Sequence, residues 1–197
     1  MSERSEDTGV AAAEAFARKH DPEFDHALQV CRNSLALFDA TRDLHGLSDR
    51  DRVLLEAAAL MHDTGYENRP WQHHKGSRDL ILASKLKGFS RPELKIIACV
   101  ARYHRKAPPD PSHKVYRDLD PAAQSTVTRM AALLRVADGL DRSHVDSAAS
   151  LRVERHGKRL RLFVKQRHSN PTDVWAGTRK KGLFEEVFGV ELEIEAE

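Results

Sequence analysis

The chain has 197 residues, 40% hydrophobic and 31% charged, with 32 Lys and Arg against 30 Asp and Glu and a formal net charge of +2. That composition belongs to a globular protein of one large or two small domains and excludes a disordered or collagen-like chain. The near-balance of charge gives little reason to expect a strong pull toward nucleic acid or membrane, no run of about eighteen apolar residues marks a membrane span, and MSERSEDTGVAAAEAFARKH has no apolar leader core, so a cytoplasmic protein is expected.

Asp21-Pro22-Glu23 offers an N-cap, a proline and an early acid ahead of a helix carrying Leu28, Cys31, Leu35 and Phe38 at helical spacing. Ser48 and Asp51 form a capping-box pattern that opens a very apolar helix stopping near Gly65. A third helix is expected over residues 77–87. A fourth starts at Ser90-Arg91-Pro92-Glu93, with Leu94, Ile97 and Ala101 on one face. Pro108, Pro109 and Pro111 make residues 105–120 a loop, and Asp120-Pro121 starts a long fifth helix with Val127, Ala131 and Leu134 on one face.

After Ser147 the period becomes alternating. Residues 151–154 and 160–165 read as a hairpin about a His156-Gly157 turn, Val174-Trp175-Ala176 as a short strand, 180–188 as a short helix and 190–195 as a last strand. The expected fold is mainly α, with a helical part over 1–147 and a small α+β part over 148–197. Cys31 and Cys99 stand singly and read as small buried hydrophobes.

Residues 151–181 carry ten Lys and Arg against Glu154 and Asp173, whereas residues 182–197 carry six Glu and no basic residue. Strand faces that pair across a small sheet explain this; a phosphate-attracting basic patch is the alternative.

The 11 histidines stand out beside 3 Tyr and 2 Trp. His62-Asp63 closes the second helix, on the face of Leu55 and Ala58, and a helix C-terminus favours a cation. His26 shares a face with Val30 and Leu37. His104 takes the next step of the fourth helix stripe, Asp138 continues the fifth, and His73-His74 immediately precedes the third. An ionised carboxylate on a buried stripe is costly unless it is paired or binds metal. Imidazole and carboxylate without thiolate suit Mn, Fe, Ni, Zn or Mg, and two neighbouring ions could share Asp63 in hydrolytic phosphoryl chemistry. The alternative is that these groups simply hydrogen-bond within a helical core.

The order His26, His62-Asp63, Asp138 resembles the HD superfamily of metal-dependent phosphohydrolases, and His74 and His104 resemble the extra histidines of its two-metal members. HALQVCRNSLALFD, HGLSDRDRVLLEAAALMHDTGY, HHKGSRDLIL, GFSRPELKIIACVARYHRK and AALLRVADGLDRSH, with the following strands, resemble the C-terminal helical module of the exopolyphosphatase and guanosine pentaphosphate phosphatase family. The resemblance implies an HD helical bundle and two divalent ions, Mn, Mg or Fe, held by His26, His62, Asp63, His74, His104 and Asp138. It prefers His74 to His73 by spacing to the Leu80-Ile81-Leu82 run. The glycine-rich phosphate loops of the family's long enzymes are not in this sequence, and Gly76 stands where the family commonly has a histidine.

Lys75, Arg105, Lys106 and Arg142 neighbour the proposed ligands and suit phosphate oxygens, with Asp63, Lys75 and Arg105 as the catalytic candidates; His144 is a candidate general acid or a neighbour of the ligands. The expected function is hydrolysis of a phosphate ester or anhydride, such as a nucleotide or short polyphosphate, by a metal-activated water, in a protein that could be a homodimer. The competing expectation is a non-catalytic module binding polyphosphate, a nucleotide or a protein through Arg152, Arg155, Arg159, Arg161 and Lys165.

Overall fold

The computed structural model describes residues 3–197, with side chains from Thr8 onward. Helix α1 (Glu3–His20) lies where no element is expected. Alanines at 11, 12, 13, 15 and 17 give that stretch high helical propensity, and fully buried Ala13 and Ala17 dock it on the helical core. Asp21-Pro22-Glu23 is a turn in which Asp21 Oδ1 accepts from the Glu23 amide at 2.9 Å, and helix α2 (Phe24–Ala40) begins just after it.

A short helix α3 (Arg42–His45) leads to α4 (Asp49–Leu60), which opens on the expected capping box of Ser48 and Asp51. It ends at Leu60, earlier than expected, and residues 61–68 form turns. A 3-10 turn, Pro70–Gln72, runs into α5 (His73–Ala83), which starts four residues before the expected Ser77. The cause is tertiary. A Cβ on Gly65 would lie 2.3 Å from the Ser77 nitrogen and 2.5 Å from the His73 oxygen, so only glycine lets the first turn of α5 lie against the loop after α4.

Helix α6 (Arg91–Arg102) opens on the Ser90–Glu93 capping box with Pro92 in its first turn. The proline-rich stretch after it is irregular apart from one helical turn, α7 (Lys114–Arg117). Helix α8 (Pro121–Gly139) is capped by Asp120, which accepts from the Ala123 amide at 2.9 Å. It runs through the middle of the molecule, with Val127, Met130, Leu133 and Leu134 fully buried against α2 and α6.

Strands β1 (Ala148–His156) and β2 (Arg159–Gln166) form the expected antiparallel hairpin, and β3 (Glu191–Ala196) adds in parallel to β2, giving the order β1-β2-β3. The connection from β2 to β3 is helical. Val174-Trp175-Ala176 belongs to helix α9 (Pro171–Lys180), not to a strand, because three apolar residues define no period while Pro171 at the first helical position suits a helix start. Helix α10 (Gly182–Phe188) follows. The inner sheet face, Leu160, Leu162, Val164 and Leu192, joins Phe184 and the helices in one continuous core. Cys31 and Cys99 are buried free thiols.

On the outer face the register sets Arg159 opposite Glu191 and Arg161 opposite Glu193. Arg161 pairs with Glu195 at 2.9 Å and Arg159 with Glu193 at 3.5 Å, while Arg152 pairs with Glu154 and Glu197. The basic and acidic runs therefore neutralise one another across the sheet. No helix among the described residues is long and apolar enough to cross a membrane.

Candidate metal centre

Three helices deliver their C-terminal ends to one place. His62 and Asp63 follow α4, His104 follows α6 and Asp138 lies in the last turn of α8. Each such end carries unsatisfied carbonyls and partial negative charge, which favours a cation. His26 on α2 and His73 at the start of α5 complete the ring.

Two groups of three side chains result. The ligand atoms of His26, His62 and Asp138 lie within 4.8 Å of one another, and so do those of Asp63, His73 and His104. The groups adjoin, with the His62 and His104 rings 4.8 Å apart and His62 Nε2 3.6 Å from Asp63 Oδ2.

The imidazoles are oriented from behind. His62 Nδ1 donates to the Ala59 carbonyl at 2.7 Å, His104 Nδ1 to Ala101 at 2.7 Å and His73 Nδ1 to Pro70 at 2.9 Å. A carbonyl oxygen can only accept, so the proton sits on Nδ1 and each Nε2 lone pair is left to accept; those of His62 and His104 face the cluster, and that of His73, also within 3.5 Å of Asp63, accepts from the Arg105 guanidinium at 2.9 Å. His26 Nδ1 is held by the Asp141 carboxylate at 2.8 Å. Outer hydrogen bonds of this kind fix the tautomer of a metal-ligating histidine.

The donor set fits a divalent cation. His62 Nε2 and Asp63 Oδ1 are buried with no hydrogen-bond partner, a cost that native interiors avoid. His73 Nε2 and His104 Nε2 lie 3.3 Å apart, both within 3.5 Å of Asp63 Oδ1. Burial opposes ionisation of Asp63, but the imidazoles of His62, His104 and His73 bring its pKa down to about 2. Burial holds His104 well below the usual histidine range and also lowers His73. Burial likewise disfavours the His26 imidazolium, yet Asp138 and Asp141 outweigh it and carry His26 up to about 10. Two ionised carboxylates among imidazoles, with no thiolate, suit Mn, Fe, Zn or Mg.

Five of the six expected ligands are thus brought together, and the sixth is replaced. His73, not His74, enters the cluster, because the helix begins at His73 and each further residue turns the side chain by about 100°. His74 points into a neighbouring cavity with Lys75, Arg102 and Tyr103. Gly76 lies against Gly65, where an added Cβ would meet the Gly65 oxygen at 3.0 Å.

A cavity of about 300 Å³ opens over the cluster and is lined by Arg105, Lys106, Arg142 and His144. Lys75 is not among its walls. His144 stacks on His26 at 3.8 Å and pairs with Glu23, so it props the His26 ring.

Sequence reasoning missed Asp141, although a carboxylate one turn after Asp138 was a visible cue. It also missed Lys180, whose ammonium pairs with Asp138. Nothing local marks Lys180. A Cβ on Gly139 would lie 2.7 Å from Gly177 Cα, so α8 and α9 cross at backbone contact and this crossing brings Lys180 over Asp138.

A family model described as Ppx/GppA phosphatase, domain III, matches residues 10–175. No curated protein matches the chain.

Proposed function

The chain belongs to the Ppx/GppA phosphatase domain III family, and on that premise we propose that it is a metal-dependent phosphohydrolase of the HD type. The substrate would be a phosphate ester or anhydride such as a nucleotide or short polyphosphate. One observation carries the reading: two adjoining triads, His26-His62-Asp138 and Asp63-His73-His104, whose Nε2 and carboxylate atoms converge while their Nδ1 atoms are held from behind. These six residues would hold two divalent ions, Mn, Mg or Fe. When bound, such ions polarise a phosphoryl oxygen and make water a competent nucleophile near neutral pH.

The chain's own residues do the rest. Asp63 faces both triads. Arg105, Lys106 and Arg142 line the mouth, where their charges orient phosphate oxygens and stabilise negative charge on the leaving group. Asp141 and His144 hold the His26 ring from its edge and its face. Lys180 balances Asp138.

The competing reading, a module that binds through its basic strands, has less support. Of Arg152, Arg155, Arg159, Arg161 and Lys165, only Lys165 lacks a carboxylate partner among the described residues.

The test is activity of metal-stripped protein on nucleotides, p-nitrophenyl phosphate and short polyphosphates before and after Mn, Mg or Fe is restored. Restored hydrolysis that disappears in Asp63→Ala supports the proposal; hydrolysis unchanged in Asp63→Ala refutes it.

A further inference from the structure

Asp21 stands outside both triads, yet it is buried beside them with one carboxyl oxygen unused. It is 5% exposed. Its Oδ1 accepts from the Glu23 amide at 2.9 Å, while its Oδ2 has no hydrogen-bond partner. The backbone holds it in place. The Asp21 amide donates to the Ala17 carbonyl at 2.8 Å at the end of α1, and the His26 amide donates to the Glu23 carbonyl at 2.9 Å in the first turn of α2. The residue with the unpartnered oxygen is therefore fixed to the same turn that leads into the ligand His26.

Its surroundings are those of the metal centre. Asp21 borders a cavity of about 300 Å³ together with Asp63, Arg105, Arg142 and His144, and those four also line the cavity over the cluster. Burial raises its pKa, against the Glu23 amide and the imidazoles of His62 and His26, while Asp63 pushes the same way as burial. Its charge is thus felt by members of both triads. The turn itself does not require that charge, because Ser, Thr or Asn accepts an amide two residues on as well as Asp does. A buried carboxylate whose second oxygen has no partner is costly unless a cation supplies the missing interaction. The cluster supplies the need for such a charge: two divalent ions would meet only Asp63 and Asp138 in the triads, and Lys180 already offsets Asp138.

We propose that Asp21 is a third carboxylate of the metal centre, a positioning residue that acts on the ions through water and by its charge rather than by direct ligation. The assignment rests on the metal-dependent reading above. Direct ligation is not its role, because its oxygens join neither group of mutually close ligand atoms. Outer partners of this kind tune how tightly a centre holds its metal. The assignment gives two quantities opposite signs, whereas a residue that merely holds the turn would move both toward loss. Without metal, the Asp21 charge is buried beside Asp63 and destabilises the fold; with metal, the same charge helps to retain the ions.

Asp21→Asn tests this, because its side-chain carbonyl keeps the bond to the Glu23 amide while the charge and the unused acceptor are removed. Asp21→Ser, which also keeps an oxygen for that amide, serves if the first variant does not fold. Thermal melts of metal-stripped protein and calorimetric Mn titrations are compared with wild type and with Asp25→Asn, which removes an exposed carboxylate of the same segment. Stripped Asp21→Asn is expected to melt about 2 °C or more above wild type. Its affinity for Mn is expected to be weaker by about tenfold or more, and that of Asp25→Asn to stay within about twofold of wild type. Lower stability of both stripped Asp21 variants, or a weakening of Mn binding that Asp25→Asn reproduces, overturns the proposal. Wild type that binds Mn while Asp21→Asn binds it equally well refutes this assignment alone. Folded wild type that binds no Mn overturns the metal-dependent reading and this assignment with it.

Discussion

Replacing Lys180 with methionine removes the ammonium that pairs with Asp138 and leaves the methylene stem's packing nearly intact. The side chains of the pair are 23% and 10% exposed, so the interaction is partly screened. Removing one partner of a fully buried ion pair costs about 3–5 kcal/mol. Discounted for exposure, Lys180→Met is expected to cost about 2–3 kcal/mol in metal-stripped protein, a fall in Tm of roughly 5–10 °C for a chain of this size. With saturating Mn the divalent charge replaces the ammonium beside Asp138, and the cost is expected to shrink below about 1 kcal/mol. The variant should also bind Mn about tenfold more tightly, because Asp138 no longer has to give up a cation first. Urea unfolding with and without Mn, together with calorimetric Mn titration, measures both quantities. An equal loss of stability in the two conditions, or an unchanged Mn affinity, would show that Lys180 does not share Asp138 with a metal.

Asp173 is buried and accepts from the Ser143 amide at 2.8 Å, from Ser143 Oγ at 2.8 Å and from Ser147 Oγ at 2.5 Å, tying α9 to the loop that carries Arg142 and His144. Asp173→Ala is expected to cost about 2–4 kcal/mol in chemical unfolding and to raise hydrogen exchange across residues 141–147; a loss under about 0.5 kcal/mol would show that these bonds carry little. Gly139→Ala drives a Cβ into the Gly177 backbone, whereas Gly177→Ala meets side-chain atoms, Leu140 Cδ2 at 2.7 Å, Leu140 Cγ at 3.3 Å and Ile194 Cδ1 at 3.5 Å, so thermal melts should show the first costing about 1–3 kcal/mol and the second less; the reverse order contradicts the crossing geometry. Burial opposes ionisation of Glu93, but Arg50 and the Ser90 cap outweigh it and lower its pKa from 4.5. A lowered carboxyl pKa stabilises the fold above the unfolded value and loses that stabilisation as pH falls through the folded value. Glu93→Gln is therefore expected to be less stable than wild type at pH 7, with the gap narrowing as pH falls below the ordinary carboxylate range in pH-dependent urea melts; a gap that does not narrow toward acid pH contradicts the assignment.

Much of the fold was legible because local chemistry decides it. Ser48 with Asp51, Ser90 with Glu93, and Asp120 before Pro121 each mark a helix start by satisfying otherwise unpaired amides, and all three appear where the pattern puts them. The hairpin pattern about His156-Gly157 and the strict alternation over residues 190–195 likewise identified the strands, and the opposed charge runs anticipated their pairing. What was not legible depends on distant partners. The start of α5 at His73 follows from its packing on Gly65, and that one boundary decides which of two adjacent histidines faces Asp63. Lys180 reaches Asp138 only because two glycines let α8 and α9 touch, a contact without local signature. Lys75, adjacent in sequence to His74, follows it into the basic cavity, while Arg105, Lys106 and Arg142 line the cavity over the candidate metal site.

The central claim is that the two triads form one binuclear metal centre. Calorimetric titration of stripped protein with Mn, read together with elemental analysis of the purified chain, tests it most directly. The account predicts two Mn per chain in the wild type, a sharp loss of affinity at both positions in Asp63→Ala, and retention of two Mn in His74→Ala. Absence of Mn binding by folded protein, or binding lost in His74→Ala but kept in His73→Ala, would contradict it.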